Sequence, residues 1–234
     1  MSPRRTARLA GLLYLVVALL GGWAQLVRTQ VHVPDDAAAT AAAIADHATA
    51  VRLAVGADVV DATAFALFGL AMQQLLHHVH ARAAAALVLG TWLSAAMALV
   101  MLTFHVGALL VVTDPAVSSA VGDPDGLALL LLDMQSAAYS LAGVFFALWM
   151  AAAAYLVARS GMFARFVAPL VAAGSVAWLL NTVLVLVVPD LPAVDGLTAA
   201  VATVGEISLL TYLLVRGVRR GADATPRVPS AATA

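Results

Sequence analysis

The stretch Ala83 to Val112, AAAALVLGTWLSAAMALVMLTFHVGALLVV, runs for thirty residues without an Asp, Glu, Lys or Arg. An α-helix rises about 1.5 Å per residue, so about 20 such residues cross a hydrocarbon layer about 30 Å thick. Inside that layer the backbone has no water to bond, and a continuous apolar run satisfies its own N–H and C=O groups only as a helix. Five more runs of comparable character flank this one, at about 9–27, 53–76, 127–157, 166–188 and 197–215. The 53–76 run is interrupted by two aspartates. No ten-residue alternation of the kind that builds a membrane barrel appears. The expected fold is therefore all-α, a polytopic integral membrane bundle of six transmembrane helices over residues 9–218. A short N-terminal segment, 1–8, precedes it and a disordered tail, 221–234, follows.

Composition agrees. The chain is 63% hydrophobic and 11% charged, with a mean hydropathy of +0.99, far more apolar than soluble domains. Its net charge of -1 gives no reason to expect a nucleic-acid partner. Cysteine is absent, so there is no disulfide framework, thiolate metal site or Cys nucleophile. The partner implied by composition is the lipid bilayer itself, with a lipid-like ligand as the further expectation.

Orientation follows from arginine placement, because cytoplasmic flanks carry the excess of positive charge. Arg4, Arg5 and Arg8 precede the first span, Arg82 lies between the second and third, and Arg159 and Arg165 join the fourth and fifth. Arg216, Arg219, Arg220 and Arg227 follow the sixth. Only Arg28 and Arg52 fall on the opposite side, among Asp35, Asp36, Asp46, Asp114, Asp123, Asp125, Asp190 and Asp195. Both termini are expected in the cytoplasm (N-in, C-in) of a bacterial cell, with the chain multi-pass in its cytoplasmic (inner) membrane. The first apolar run exceeds the usual signal-peptide core of about 7–15 residues, so it reads as a retained span.

Loops carry Pro, Gly and Asp: Asp114-Pro115, Gly122-Asp123-Pro124-Asp125-Gly126 and Pro189-Asp190-Leu191-Pro192 read as surface turns. The first outer loop is longer. Its Pro34-Asp35-Asp36, followed by an alanine-rich stretch to Ala50, predicts a capped helix against the outer end of the bundle, with Asp35 as the cap.

An ionisable group inside a span costs about 2.5–3.5 kcal/mol on insertion scales, and it persists with a partner or a water-filled cavity. Asp58 and Asp61 lie three apart and share a helix face. Asp133 sits near the start of the fourth span, and Glu206, the chain's only Glu, lies near the middle of the sixth. His105 and Asn181 fall at comparable depth to the aspartates, and Gln135 and Ser136 accompany Asp133. Two readings stand side by side: in one, these groups share a polar pocket opening to the outer leaflet, where acids could exchange protons or bind a cation. In the other, which weighs slightly more, the three aspartates sit in interfacial water and Glu206 in a helix contact.

His105 with nearby carboxylates is the only candidate for a metal, and no metal is expected. No phosphate-binding loop, nucleophile elbow or Cys motif is present, so no cofactor is expected either. His77, His78 and His80 beside Arg82 read as a basic interfacial turn. Trp23, Trp92, Trp149 and Trp178 read as anchors or packing groups, and the Ala, Gly and Ser of spans three to five as surfaces for close helix approach.

Several local patterns are distinctive: Gly143-Val144-Phe145-Phe146-Ala147-Leu148-Trp149, Tyr155-Leu156-Val157-Ala158-Arg159-Ser160-Gly161-Met162, and Gly205-Glu206-Ile207-Ser208-Leu209. With Leu213-Leu214-Val215-Arg216-Gly217, Arg8-Leu9-Ala10-Gly11-Leu12-Leu13-Tyr14-Leu15, Pro34-Asp35-Asp36-Ala37-Ala38 and Ala57-Asp58-Val59-Val60, they give the chain a resemblance from about residue 8 to 218. It resembles the bacterial membrane family called domain of unknown function 4386. The resemblance implies six helices and no particular reaction. Where that family tends to carry a His after the span-four Asp, this chain has Asp133-Met134-Gln135, and an amide does not titrate. Where it tends to carry Pro after the Arg-Ser-Gly turn, this chain has Ala164. Three function classes follow: a non-catalytic membrane component, an intramembrane enzyme on a lipid or isoprenoid-like substrate using Asp58 and Glu206 as acid and base, and a small proton-coupled transporter. The first predicts that replacing the acids alters stability alone. The second predicts converging carboxyls in a cavity. The third predicts repeats or broken helices, and neither is visible.

Overall fold

The computed structural model describes residues 2–187 and 192–219. The turn expected at Pro189-Asp190-Leu191, the tail from Gly221 to Ala234, and Arg220 lie outside the described residues. Eight helices are present within them: α1 (Pro3–Val31), α2 (Ala37–Asp46), α3 (Ala48–Leu76), α4 (Ala81–Thr113), α5 (Pro115–Ser119), α6 (Pro124–Ser160), α7 (Val167–Val187) and α8 (Pro192–Val215). No strand occurs among the described residues. Six helices, all but α2 and α5, are long and apolar enough to cross a membrane. Their outer faces expose Leu12, Leu19, Leu26, Leu89, Leu141 and Val176, a surface suited to acyl chains rather than water.

The helices run past the apolar segments because their ends are capped. Asp123 Oδ1 accepts from the Gly126 N–H at 3.0 Å, with Pro124 in the first turn, so α6 starts at Pro124. It stops at Gly161, whose φ of 66° is the left-handed value that suits glycine after a helix. Its 37 residues span about 55 Å, well beyond one hydrocarbon layer. Asp114 caps α5 in the same way through Ala116 N–H at 2.9 Å, so two expected turns are helix starts. The expected outer-loop helix is α2, but its cap is Asp36, which accepts from Ala39 N–H at 2.9 Å. Asp35 instead takes a φ of 60° in the turn before it. The helix ends at Asp46, and Ala48 to Arg52 already belong to α3.

In sequence, each long helix packs on the next, α1 on α3, α3 on α4, α4 on α6, α6 on α7 and α7 on α8, and α8 returns to α1. The six form a closed ring of the up-and-down kind that short connections favour. Gly217 lies against the backbone of Arg4, and the Arg219 N–H donates to the Met162 carbonyl at 2.9 Å. The start of α1, the end of α8, and the α3–α4 and α6–α7 connections therefore share one end. That end gathers Arg4, Arg5, Arg8, Arg82, Arg159, Arg165, Arg216 and Arg219, and is called the arginine end below. At the opposite end α2 buries Ile44 among Val27, Val31, Val51, Leu109 and Leu132.

Small residues set the spacing in the ring, as those of spans three to five suggest. A Cβ on Gly90 would stand 2.7 Å from Trp149 N and 3.0 Å from its Cα, and one on Gly205 would meet the Leu170 carbonyl at 2.6 Å. Ser175 donates to the Ala147 carbonyl at 2.7 Å and Thr182 to the Ser140 carbonyl at 2.9 Å, tying α7 to α6. Alanine is favoured over glycine in a helix by about 1 kcal/mol, but at Gly90 the neighbour is backbone and cannot step aside. Gly90→Ala is expected to destabilise by about 1–3 kcal/mol, whereas Gly22→Ala, with nothing within 4 Å of its Cβ position, leaves the thermal midpoint in detergent unchanged or raised.

Candidate functional site

Two apolar clusters fill the bundle. One, toward the arginine end, is built on Tyr14, Phe65, Phe68, Leu87, Trp149 and Leu209; the other is the α2-end cluster around Ile44. Between them the ring is hollow. A cavity of about 410 Å³ is lined from all six long helices, within the range of small-molecule sites. Along α1 it extends from Tyr14 to Arg28, about 21 Å of helix rise. Helix α1 contributes Ala18, Gly21 and Gly22, and α4 contributes Ala98, residues too small to fill the centre of a six-membered ring.

The polar lining is concentrated. Arg28 of α1 donates to Asp58 Oδ2 of α3 at 2.5 Å, with both side chains largely buried. Asp61, one turn further along α3, has its Oδ1 buried with no partner. Gly21 lies opposite, where a Cβ would stand 3.1 Å from that same oxygen, so the glycine makes room for the carboxyl. Glu206 of α8 accepts from Trp178 Nε1 of α7 at 3.0 Å. His105, 3% exposed, leaves Nδ1 without a partner. The Tyr14 hydroxyl is buried beside the Glu206 carboxyl, and Trp149 Nε1 is buried and unpartnered on an adjoining pocket that Tyr14, Asp61 and Glu206 share. An unmade hydrogen bond on a buried group costs about 1–3 kcal/mol, and two such atoms, Asp61 Oδ1 and His105 Nδ1, belong to residues lining this one void, with Trp149 Nε1 on the pocket beside it.

Aromatic rings form the rest. Phe146 and Trp178 stack with centroids 4.9 Å apart, and Tyr139 stands edge-on to Trp178 at 5.8 Å. Tyr14 stacks on Phe68 at 4.6 Å, with Trp149 edge-on to it at 5.7 Å. Helices α1 and α8 come close near Gly11, where a Cβ would touch Leu213 and Leu214 at 3.0–3.1 Å. Further toward α2 their lining residues Ala18, Gly22, Gln25, Thr203 and Ile207 are exposed, so the cavity opens sideways between these two helices.

The structure brings Asp58, Asp61, His105, Gln135 and Glu206 to the cavity and leaves Asp133, Ser136 and Asn181 out of it. Asp133 is 54% exposed and faces His32 Nε2 at 2.8 Å, a bridge from α6 to α1. Asn181 Oδ1 accepts from Thr198 at 3.1 Å, between α7 and α8. His105 joins no metal-holding group, since no cluster of three His, Cys, Asp or Glu occurs among the described residues. His80 caps α4 through Ala83 N–H, while Trp23 and Trp92 lie on the outside at 40% and 51% exposure. Trp178 departs from its expected anchoring role by bonding Glu206. Sequence reading missed Arg28, Tyr14, Tyr139 and Phe146 as lining groups. For Arg28 the signal was its place as one of only two arginines on the acidic side, and for Tyr14 a phenol in mid-span.

A family model described as Domain of unknown function (DUF4386) matches residues 9–217. No curated protein and no solved structure matches the chain. Removing one partner of a buried ion pair costs about 3–5 kcal/mol because the other charge is stranded. Arg28→Gln is expected to lower stability by about that amount in thermal unfolding, and adding Asp58→Asn is expected to restore most of it.

Proposed function

We propose that this chain, which belongs to the DUF4386 family, is a multi-pass membrane protein that binds a small amphipathic organic cation in its central cavity. The observation that carries this reading is a charge imbalance. Three carboxyl groups, Asp58, Asp61 and Glu206, line the void against one guanidinium, and Arg28 is already committed to Asp58. Asp61 and Glu206 are left for a ligand, beside the faces of Tyr139, Phe146 and Trp178, which attract cations through their ring quadrupoles. The cavity's apolar walls and sideways opening suit a ligand that arrives through the bilayer.

The test uses benzyltrimethylammonium and its uncharged carbon isostere neopentylbenzene, titrated against the detergent-solubilised protein while following fluorescence of Trp178 and Trp149. Saturable quenching by the cation is expected, weakened about tenfold by Glu206→Gln or Asp61→Asn, as loss of an aromatic-flanked charge contact in a dry site implies. Equal binding of both probes, or no response to either substitution, would refute the cation reading.

A second reading is an intramembrane enzyme acting on a lipid or isoprenoid-like substrate. It is favoured by the unpartnered Asp61 and His105 atoms, with the Tyr14 hydroxyl, around one void. With Asp58 held by Arg28, Asp61 would take the acid's place opposite Glu206. A proton-coupled transporter would draw on the same groups. Turnover of an added lipid, as against stoichiometric binding, separates these from the first reading.

The arginine end is proposed to face the cytoplasm of a bacterial cell, with the cavity nearer the outer leaflet. The chain has no native cysteine, so single cysteines report cleanly. In intact spheroplasts a membrane-impermeant maleimide is expected to label Ser119→Cys and to leave Ser160→Cys untouched until the membrane is opened.

A further inference from the structure

A second depression, of about 1250 Å³, lies on the outside of the bundle against α8. At the arginine end it is bordered by Arg4 and Arg8 of α1 and by Arg216 and Arg219 beyond α8. None of these four makes an ion pair among the described residues, where the salt bridges join Arg28 to Asp58 and His32 to Asp133. No described carboxylate lies among the depression's lining residues.

From the arginines the depression follows one face of α8 through Val215, Tyr212, Thr211, Ser208, Ile207 and Val204. These stand at the three- and four-residue spacing of a single helix stripe. Val204, Ile207 and Val215 are 54%, 53% and 67% exposed. From Arg216 to Val204 the helix rises about 18 Å, close to the half-thickness of about 15 Å that one leaflet's hydrocarbon occupies.

We infer that this trough binds one anionic phospholipid of the leaflet at the arginine end. Its phosphate is held by Arg4, Arg8, Arg216 and Arg219, and an acyl chain lies along the α8 stripe. Guanidinium forks match phosphate oxygens in pairs, and basic pockets at the end of a helix bundle take acidic headgroups in this way. An inorganic phosphate would engage the arginines alone and leave an apolar stripe of leaflet length unused. The site does not rest on the cavity reading. The two voids share Ile207 as a lining residue and no charged group.

Native mass spectrometry of the full chain in mild detergent, titrated with phosphatidylglycerol and with phosphatidylcholine of equal chain length, tests the inference. One phosphatidylglycerol per chain is expected, held at least tenfold more tightly than phosphatidylcholine. Arg216→Gln with Arg219→Gln is expected to weaken it about fivefold for each arginine removed. Val204→Trp, which obstructs the stripe without touching charge, weakens it as well. Correct folding of each variant is read from an unchanged thermal midpoint and an unchanged helical circular-dichroism spectrum. Equal retention of the two lipids, indifference to the arginine substitutions, or displacement by a millimolar excess of inorganic phosphate would overturn the assignment.

Discussion

A carboxyl group within a bilayer needs a cation, a hydrogen-bond donor or a hydrated void, and the interior of this bundle is organised by that requirement. Asp58 has the cation, Arg28. Glu206 has the donor, the Trp178 indole. Asp61 has neither on its buried oxygen and faces the void. The Arg28–Asp58 bridge joins the neighbouring helices α1 and α3, and the Trp178–Glu206 bond joins the neighbouring α7 and α8. Different stretches of the cavity wall are thus held by different kinds of contact, and the polar chemistry in the middle decides where the walls stand.

Packing explains why a void exists there at all. Six helices in a ring enclose more space than four, and that space must be taken up by large side chains. Toward the arginine end it is, by Tyr14, Phe65, Phe68 and Trp149. Gly90 lets Trp149 approach α4 at backbone contact. Midway along α1 the cavity-lining positions include Ala18, Gly21 and Gly22, which leave the centre open. The same residue class thus does opposite work in two places. Where a large neighbour reaches the glycine the helices close, and where none does they leave a chamber.

The six spans were legible because length and hydropathy alone decide them, and Asp58 with Asp61 because a separation of three fixes one face whatever the rotation of the helix. Depth was less informative than rotation. Asp133 and Gln135 sit at nearly the same depth, but two residues turn an α-helix by about 200°. When Gln135 faces the cavity, Asp133 must face away, toward His32. The residues by which α1 lines the cavity, at 14, 17, 18, 21, 22, 25 and 28, follow the helical period. Which face they occupy depends on what α3 and α8 bring opposite, and no local pattern carries that. Helix ends were misplaced because Asp-Pro pairs serve both as turns and as helix caps. Asp35 and Asp36 are chemically alike, and only the backbone turn before α2 selects between them.

The opening between α1 and α8 changes what concentration means for this protein. A chamber that faces the bilayer exchanges with molecules dissolved in lipid. For a ligand of the kind proposed, occupancy would then be governed by its mole fraction among acyl chains, not by the aqueous concentration. A compound that partitions strongly into membranes would arrive already enriched, so a site of modest intrinsic affinity could be filled from a dilute external solution. Two ligands with identical contacts to Asp61, Glu206 and the aromatic wall would then differ in potency by the ratio of their partition coefficients. The membrane becomes part of the selectivity of the site.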